Sequence, residues 1–137
     1  MSDITIKCRK LLGGIASGEA MVSHTAISPT GEIDETTGVV RVKGHELEGM
    51  CIAGKILIYP ESKGSAGIGL MLKTLAYLKL QPSAIIVNKM PDHATIQGII
   101  LANIPTVYEP EHDVLDIINT GDKVEVNANE SKIIIRR

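Results

Sequence analysis

The segments Lys55 to Tyr59 and Ala84 to Val87 are short and almost continuously apolar. A strand with one wet face alternates apolar and polar positions, so an unbroken apolar run predicts a strand covered on both faces. Between the two runs, Ile68, Met71, Leu72, Leu75 and Leu78 recur at helical spacing, while Lys73, Thr74 and Lys79 fall elsewhere on the wheel. The pattern predicts a strand–helix–strand unit. A second helix is expected to begin near Asp92, an N-cap type of residue after Pro91, and to bury Ile96, Ile99 and Ile100 before Asn103 and Pro105 end it. Pro105 to Tyr108 reads as the start of another strand, and Val114 to Ile118 as a helical turn. Val124 to Val126 and Ile133 to Ile135 read as closing strands around Asn127 to Glu130.

The first half is less regular. Ile4 to Cys8 alternates as a short strand does, and Gly18 to Ser23 predicts a second after the Gly13-Gly14 turn. From Thr25 to Met50 the chain is polar and punctuated by glycine, with a possible strand at Val39 to Val42; an excursion of that length in a compact domain is often functional. Strands alternating with helices give an α/β fold, and with no internal repeat or linker, residues 1–137 are expected to form a single domain.

Composition narrows the function. Three Tyr and no Phe or Trp leave an aliphatic core, and they remove the stacking platforms that single-stranded nucleic-acid binders use. A net charge of −2, with both signs mixed along the chain, gives no electrostatic footprint for nucleic acid or an anionic membrane. No apolar run approaches the ~20 residues of a membrane span, and the glycine-broken Leu11 to Ala16 stretch does not read as a secretory signal. Cys8 and Cys51 lie too far apart for a Cys-x-x-Cys pair and are expected to be reduced thiols in a cytoplasmic protein. One iron–sulfur cluster needs three or four cysteines, so none is expected on this chain. His24, His45, His93 and His112 contain no His-x-His or His-x-x-x-His pair, which argues against zinc. The acidic groups Glu32, Asp34 and Glu35, and Glu109, Glu111 and Asp113, read as solvated loop charge.

The candidate chemistry sits at Lys63-Gly64-Ser65-Ala66-Gly67-Ile68-Gly69, which joins the first apolar run to the first helix. Glycines let the backbone approach a ligand, and the first amides of a helix lack internal partners and attract negative charge. Ser65 is the candidate catalytic residue, and Lys63 and Gly64 join it as candidates for binding a substrate phosphate or carboxylate. The same stretch also suits a loop that only reverses the chain. His24 and Ser28 are weaker candidates for lining a cleft.

The order Gly14-x-Ala16-x-Gly18-x-Ala20, Ile27-Ser28, Asp34-x-x-Thr37-Gly38, His45-x-Leu47-x-Gly49, Gly54-Lys55-Ile56-Leu57, Lys63-Gly64-Ser65, Pro82-x-Ala84-Ile85-Ile86 and Gly98-x-x-x-Ala102-x-Ile104-Pro105 resembles the small-subunit, or swivel, domain of the aconitase X family. The resemblance spans about Cys8 to Val107. It implies a single swivelling β/β/α domain of the aconitase small-subunit type, in a dehydratase whose cysteine-bearing large subunit holds a four-iron four-sulfur cluster. Ser65 then maps onto the serine that accepts a proton. A separate small chain of this length is most similar to the subunits that act on 5-phosphomevalonate, a small phosphorylated hydroxy acid, in isoprenoid synthesis. Relatives that act on hydroxyprolines are the alternative. Members usually carry further serines after the Gly-Ser pair, where this chain has Ala66-Gly67, and an aromatic residue and paired glycines after Ile-Ser, where it has Pro29-Thr30-Gly31-Glu32.

A rival of another class rests on Asp92-His93-Ala94-Thr95, between a strand and a helix, which resembles the phosphohistidine swivel domain of phosphoenolpyruvate-utilising enzymes. There His93 would carry a phosphoryl group at a helix start. A non-catalytic interaction module is the third reading.

Overall fold

The computed structural model describes residues 3–27, 32–63 and 68–136. The strands are β1 (Ile4–Lys7), β2 (Arg9–Leu12), β3 (Ile15–Val22), β4 (Ile56–Tyr59), β5 (Ala84–Val87), β6 (Thr106–Tyr108), β7 (Lys123–Asn127) and β8 (Lys132–Arg136), and the helices are α1 (Ile68–Tyr77) and α2 (His93–Ala102). Hydrogen bonds link the strands in the order β1-β8-β7-β3-β4-β5-β6-β2.

Two different pairing rules run through that order. From β3 to β6 each neighbour is parallel, whereas β1, β8, β7 and β3 pair antiparallel. The long strand β3 serves both parts, pairing Ile15 to Glu19 with β7 and Ala20 to Val22 with β4. On the far side one stretch of chain does the same: β1 pairs with β8 and β2 with β6. The break between them is Cys8, whose N–H donates to the Ser131 carbonyl at 3.0 Å. The folded-over sheet therefore closes on itself through residues 4–12.

Period-two alternation divides the apolar residues of the central strands between two cores. Ile56 and Ile58 of β4 join Ile86 and Val107 in facing the antiparallel layer, where Val126 and Ile135 meet them. Leu57 and Tyr59 point the other way, onto Met71, Leu72 and Leu75 of α1 and Ile99 of α2. The layers are antiparallel sheet, parallel sheet and helices, which is the β/β/α arrangement expected. The excursion after β3 belongs to the helix-side core, into which it inserts Ile33, Val40, Leu47 and Ile52.

Several elements depart from the sequence expectation. β3 begins at Ile15 rather than Gly18, because its first half is needed to reach β7. β2 was not expected, and its register shifts between Lys10 and Leu12. Val39 to Val42 forms no strand; Val39 and Val40 make isolated bridges to Cys51 and Ile33. On α2 the buried face is Thr95, Gly98, Ile99 and Ala102, while Ile100 is 55% exposed. A helix with apolar residues on more than one side leaves its inner face undecided by pattern; Gly98, which has no side chain, and the small Ala102 suit that face for close packing. Leu78 lies beyond the end of α1 and is 43% exposed, because Lys79 turns left-handed (φ 60°) and stops the helix. Among the described residues no helix is long and apolar enough to cross a membrane.

Candidate functional site

In open parallel sheets ligands bind beyond the carboxyl ends of the strands, because the loops there are free while helix N-termini face them. The carboxyl edge here is stitched past the strand ends. Ser23 N–H donates to Ile58 O (2.9 Å), Lys63 N–H to Ile27 O (3.2 Å), Lys89 N–H to Pro60 O (3.1 Å) and Glu109 N–H to Asn88 O (3.0 Å). The rim that results carries His24 after β3, Lys63 after β4, and Asn88, Lys89 and Asp92 after β5.

Lys63 is the sequence-predicted binding residue that the structure describes. Its Nζ lies 3.1 Å from both carboxylate oxygens of Glu32, and its backbone N–H holds Ile27. It is thus tied to the chain on both sides of residues 28–31. Glu32 is not the solvated loop carboxylate expected, since its side chain is only 18% exposed, against 52% for Lys63. Gly64 and Ser65, like Ser28, lie outside the described residues. In sequence Ser65 falls between the Lys63 anchor and the first turn of α1.

A serine–histidine pair stands at the same edge and was missed by sequence reasoning. Ser23 is fully buried, and its Oγ lies 3.1 Å from His45 Nε2 and donates to Thr25 O at 2.8 Å. The pair has the wrong polarity for nucleophile activation. Leu47 N–H donates to His45 Nδ1 at 2.9 Å, so the proton of the neutral ring sits on Nε2 and points at the serine. A base would need that nitrogen empty. The pair is a tether, fixing the excursion to the end of β3. The one available sequence signal was His45-x-Leu47, a histidine two residues ahead of a buried amide.

His24 provides a second tether. Its Nδ1 lies 2.9 Å from Glu46 Oε1, and its backbone N–H donates to Glu46 Oε2 at 2.7 Å. The hydrogen bond and charge of Glu46 raise the imidazole above its ordinary value. Burial works to raise Glu46, but the His24 amide and ring outweigh it and hold the carboxyl below its ordinary range.

The other polar candidates are structural. Asp113 accepts from Leu115 N–H and from Asn88 Nδ2, Glu111 accepts from Lys7 N–H, and Glu109 pairs with Arg9. Asp92 occupies the N-cap of α2 as expected, yet its carboxylate takes the hydroxyl of buried Thr95 rather than a helix amide. His93 is exposed at the first residue of α2. Cys8 and Cys51 do not suit an iron–sulfur cluster: burial, reinforced by Glu111, pushes the Cys8 thiol up to about 11, and Cys51 Sγ donates to Thr37 O at 3.5 Å. Among the described residues no group of three or more His, Cys, Asp or Glu gathers as a metal site.

Residues 5–135 match the family model of the aconitase X swivel domain. The chain is similar to the phosphomevalonate dehydratase small subunit of Methanococcoides burtonii, with 36% identity over 93% of each chain. It is 37% identical to that of Archaeoglobus fulgidus, over 92% of this chain and 94% of the relative. Among solved structures it superposes on Thermococcus kodakaraensis aconitase X (holo-form) with a TM-score of 0.91, 35% identity and coverage of 98% and 99%. A UPF0107 protein solved by NMR gives a TM-score of 0.90 at 34% identity, covering 98% and 100%.

Proposed function

The chain belongs to the aconitase X swivel-domain family, and from that premise we propose that it is the small subunit of a hydro-lyase that dehydrates (R)-5-phosphomevalonate to trans-anhydromevalonate 5-phosphate. The observation that carries the proposal is identity of 36% and 37%, over more than nine-tenths of the chain, to small subunits named for that reaction. Neither His93 phosphotransfer nor a hydroxyproline substrate has comparable support.

Ser65 is proposed as the acceptor of the carbon-bound proton, with Lys63 and Gly64 holding an anionic group of the substrate. A serine hydroxyl is a poor base, and the help available locally can be sized. A helix N-terminus supplies at most ~2 kcal/mol, and one pKa unit corresponds to about 1.4 kcal/mol. The turn alone therefore moves Ser65 by about one or two units. Further positive charge has to come from a partner, so the isolated chain is expected to be inactive. The proposal assigns that partner as a cysteine-bearing large subunit holding a four-iron four-sulfur cluster, whose Lewis acidity assists departure of the hydroxyl.

The test is reconstitution with the large subunit and an assay of dehydration. Ser65→Ala is expected to abolish turnover with assembly intact. Turnover by the small chain alone, or by the Ser65→Ala complex, would reject the assignment.

A further inference from the structure

Lys63 meets an anion before any substrate arrives. The two 3.1 Å contacts from Nζ to Glu32 are charge-assisted and bidentate, and they engage donors with which an ammonium would hold a phosphate. Glu32 is poorly placed to drift away, being largely covered and fixed on the main chain by Arg41 N–H, which donates to Glu32 O at 2.9 Å. The lysine is just as constrained at its backbone, through Ile27. Such a pair does two things: it orients a flexible four-carbon side chain, and it competes with any anion that needs the same ammonium.

We propose that Glu32 is the resident competitor at the anion seat: it occupies the Lys63 ammonium while the seat is empty and yields it to the substrate's anionic group on binding. The inference deepens the proposed function and rests on Lys63 contacting substrate. A phosphate monoester carries about −1.5 to −2 charges at neutral pH against −1 for a carboxylate, so it is the group able to displace Glu32. Binding then weakens by the worth of the pair. The same exchange would release residues 32 and 63 from each other, so occupancy of the seat is coupled to the link between the excursion and the end of β4.

The experiment uses inorganic phosphate and the full chain. Phosphate is titrated into wild-type protein and Glu32→Gln at constant ionic strength, and the Lys63 amide is followed by NMR. Removing the competing carboxylate is expected to lower the phosphate midpoint roughly two- to fivefold, the range a partly exposed ion pair is worth. In the reconstituted complex the same variant is expected to lower KM by a similar factor with kcat held, a split that loss of structure would not give. Far-UV circular dichroism checks that the variant is folded.

Equal midpoints in the two proteins, no phosphate response in either, or a raised KM in Glu32→Gln would overturn the inference. Its failure is distinguishable from failure of the dehydratase reading. Loss of turnover in Ser65→Ala with no change in the Glu32→Gln midpoint removes only the role of Glu32, whereas full turnover in Ser65→Ala removes the catalytic assignment.

Discussion

Replacing His45 with alanine tests whether the excursion is tethered as described. The ring accepts from Leu47 N–H at 2.9 Å and donates to Ser23 Oγ at 3.1 Å, with Thr25 Oγ1 a longer 3.4 Å from the same Nε2. Leu47 is a core residue at 2% exposure, so its amide has little water to turn to, and orphaning it costs about 1–3 kcal/mol. Ser23 keeps its bond to Thr25 O, so its loss is only that of one net hydrogen bond, about 1 kcal/mol. Together these predict that His45→Ala loses roughly 2–4 kcal/mol. Asparagine discriminates the two terms, because its side-chain carbonyl also reaches the amide two residues ahead but does not extend to Ser23. His45→Asn should recover more than half of the loss. Urea unfolding followed by far-UV circular dichroism measures both, since the chain has no tryptophan. A loss below about 0.5 kcal/mol in His45→Ala, or an asparagine variant no better than alanine, would refute the tether.

Two further outcomes follow from the ionisable groups. The raised pKa of His24 means that its contribution to stability is fully present below the unfolded value of 6.5 and is lost as pH rises through the folded value. The lowered pKa of Glu46 contributes stability above its unfolded value of 4.5, which is lost as pH falls through the folded one. The pair is therefore intact between those folded values, and at 57% exposure of the His24 side chain it contributes no more than about 1 kcal/mol. NMR titration should place His24 above 6.5, and Glu46→Gln should bring it down; an unchanged value would contradict the pairing. Cys8, whose thiol is held near 11, should resist iodoacetamide at pH 8 in the folded chain and react once urea is added. Rapid labelling of Cys8 in native buffer would contradict the raised pKa of its half-buried thiol.

What the sequence disclosed and what it hid divide along physical lines. β4, β5 and α1 were legible because burial on two faces, or on one helical face, writes a local period into the chain. β2 was not, because Arg9-Lys10-Leu11-Leu12 sits at the end of the strand order and its pairing with β6 slips by a residue. The buried face of α2 departs from the pattern at Ile100 since Ile96, Ile99, Ile100 and Leu101 fall on more than one side of that helix, so packing rather than pattern chose the inner side. At the rim, Lys63 was visible beside its glycine, but its link to Glu32 was not. Glu32 lies 31 residues away, and Ser23 and His45 are 22 apart. No local rule joins such pairs, and a polar residue buried by a distant partner looks in sequence like one in water.

The seam through residues 4–12 has a consequence for how the molecule is made. Ile4 aligns with Ile135 and Ile6 with Ile133, so β1 must wait for β8, which follows all the other strands of the sheet in sequence. The segment from β4 to β6 can pair and receive its helices during synthesis, since its parallel neighbours follow one another along the chain. Until β8 emerges, the apolar inner side of β1 has no complement. Contacts so distant in sequence also slow folding. The nascent chain therefore carries an unsatisfied strand until β8 is made, and the docking of β1 on β8 is what closes the seam.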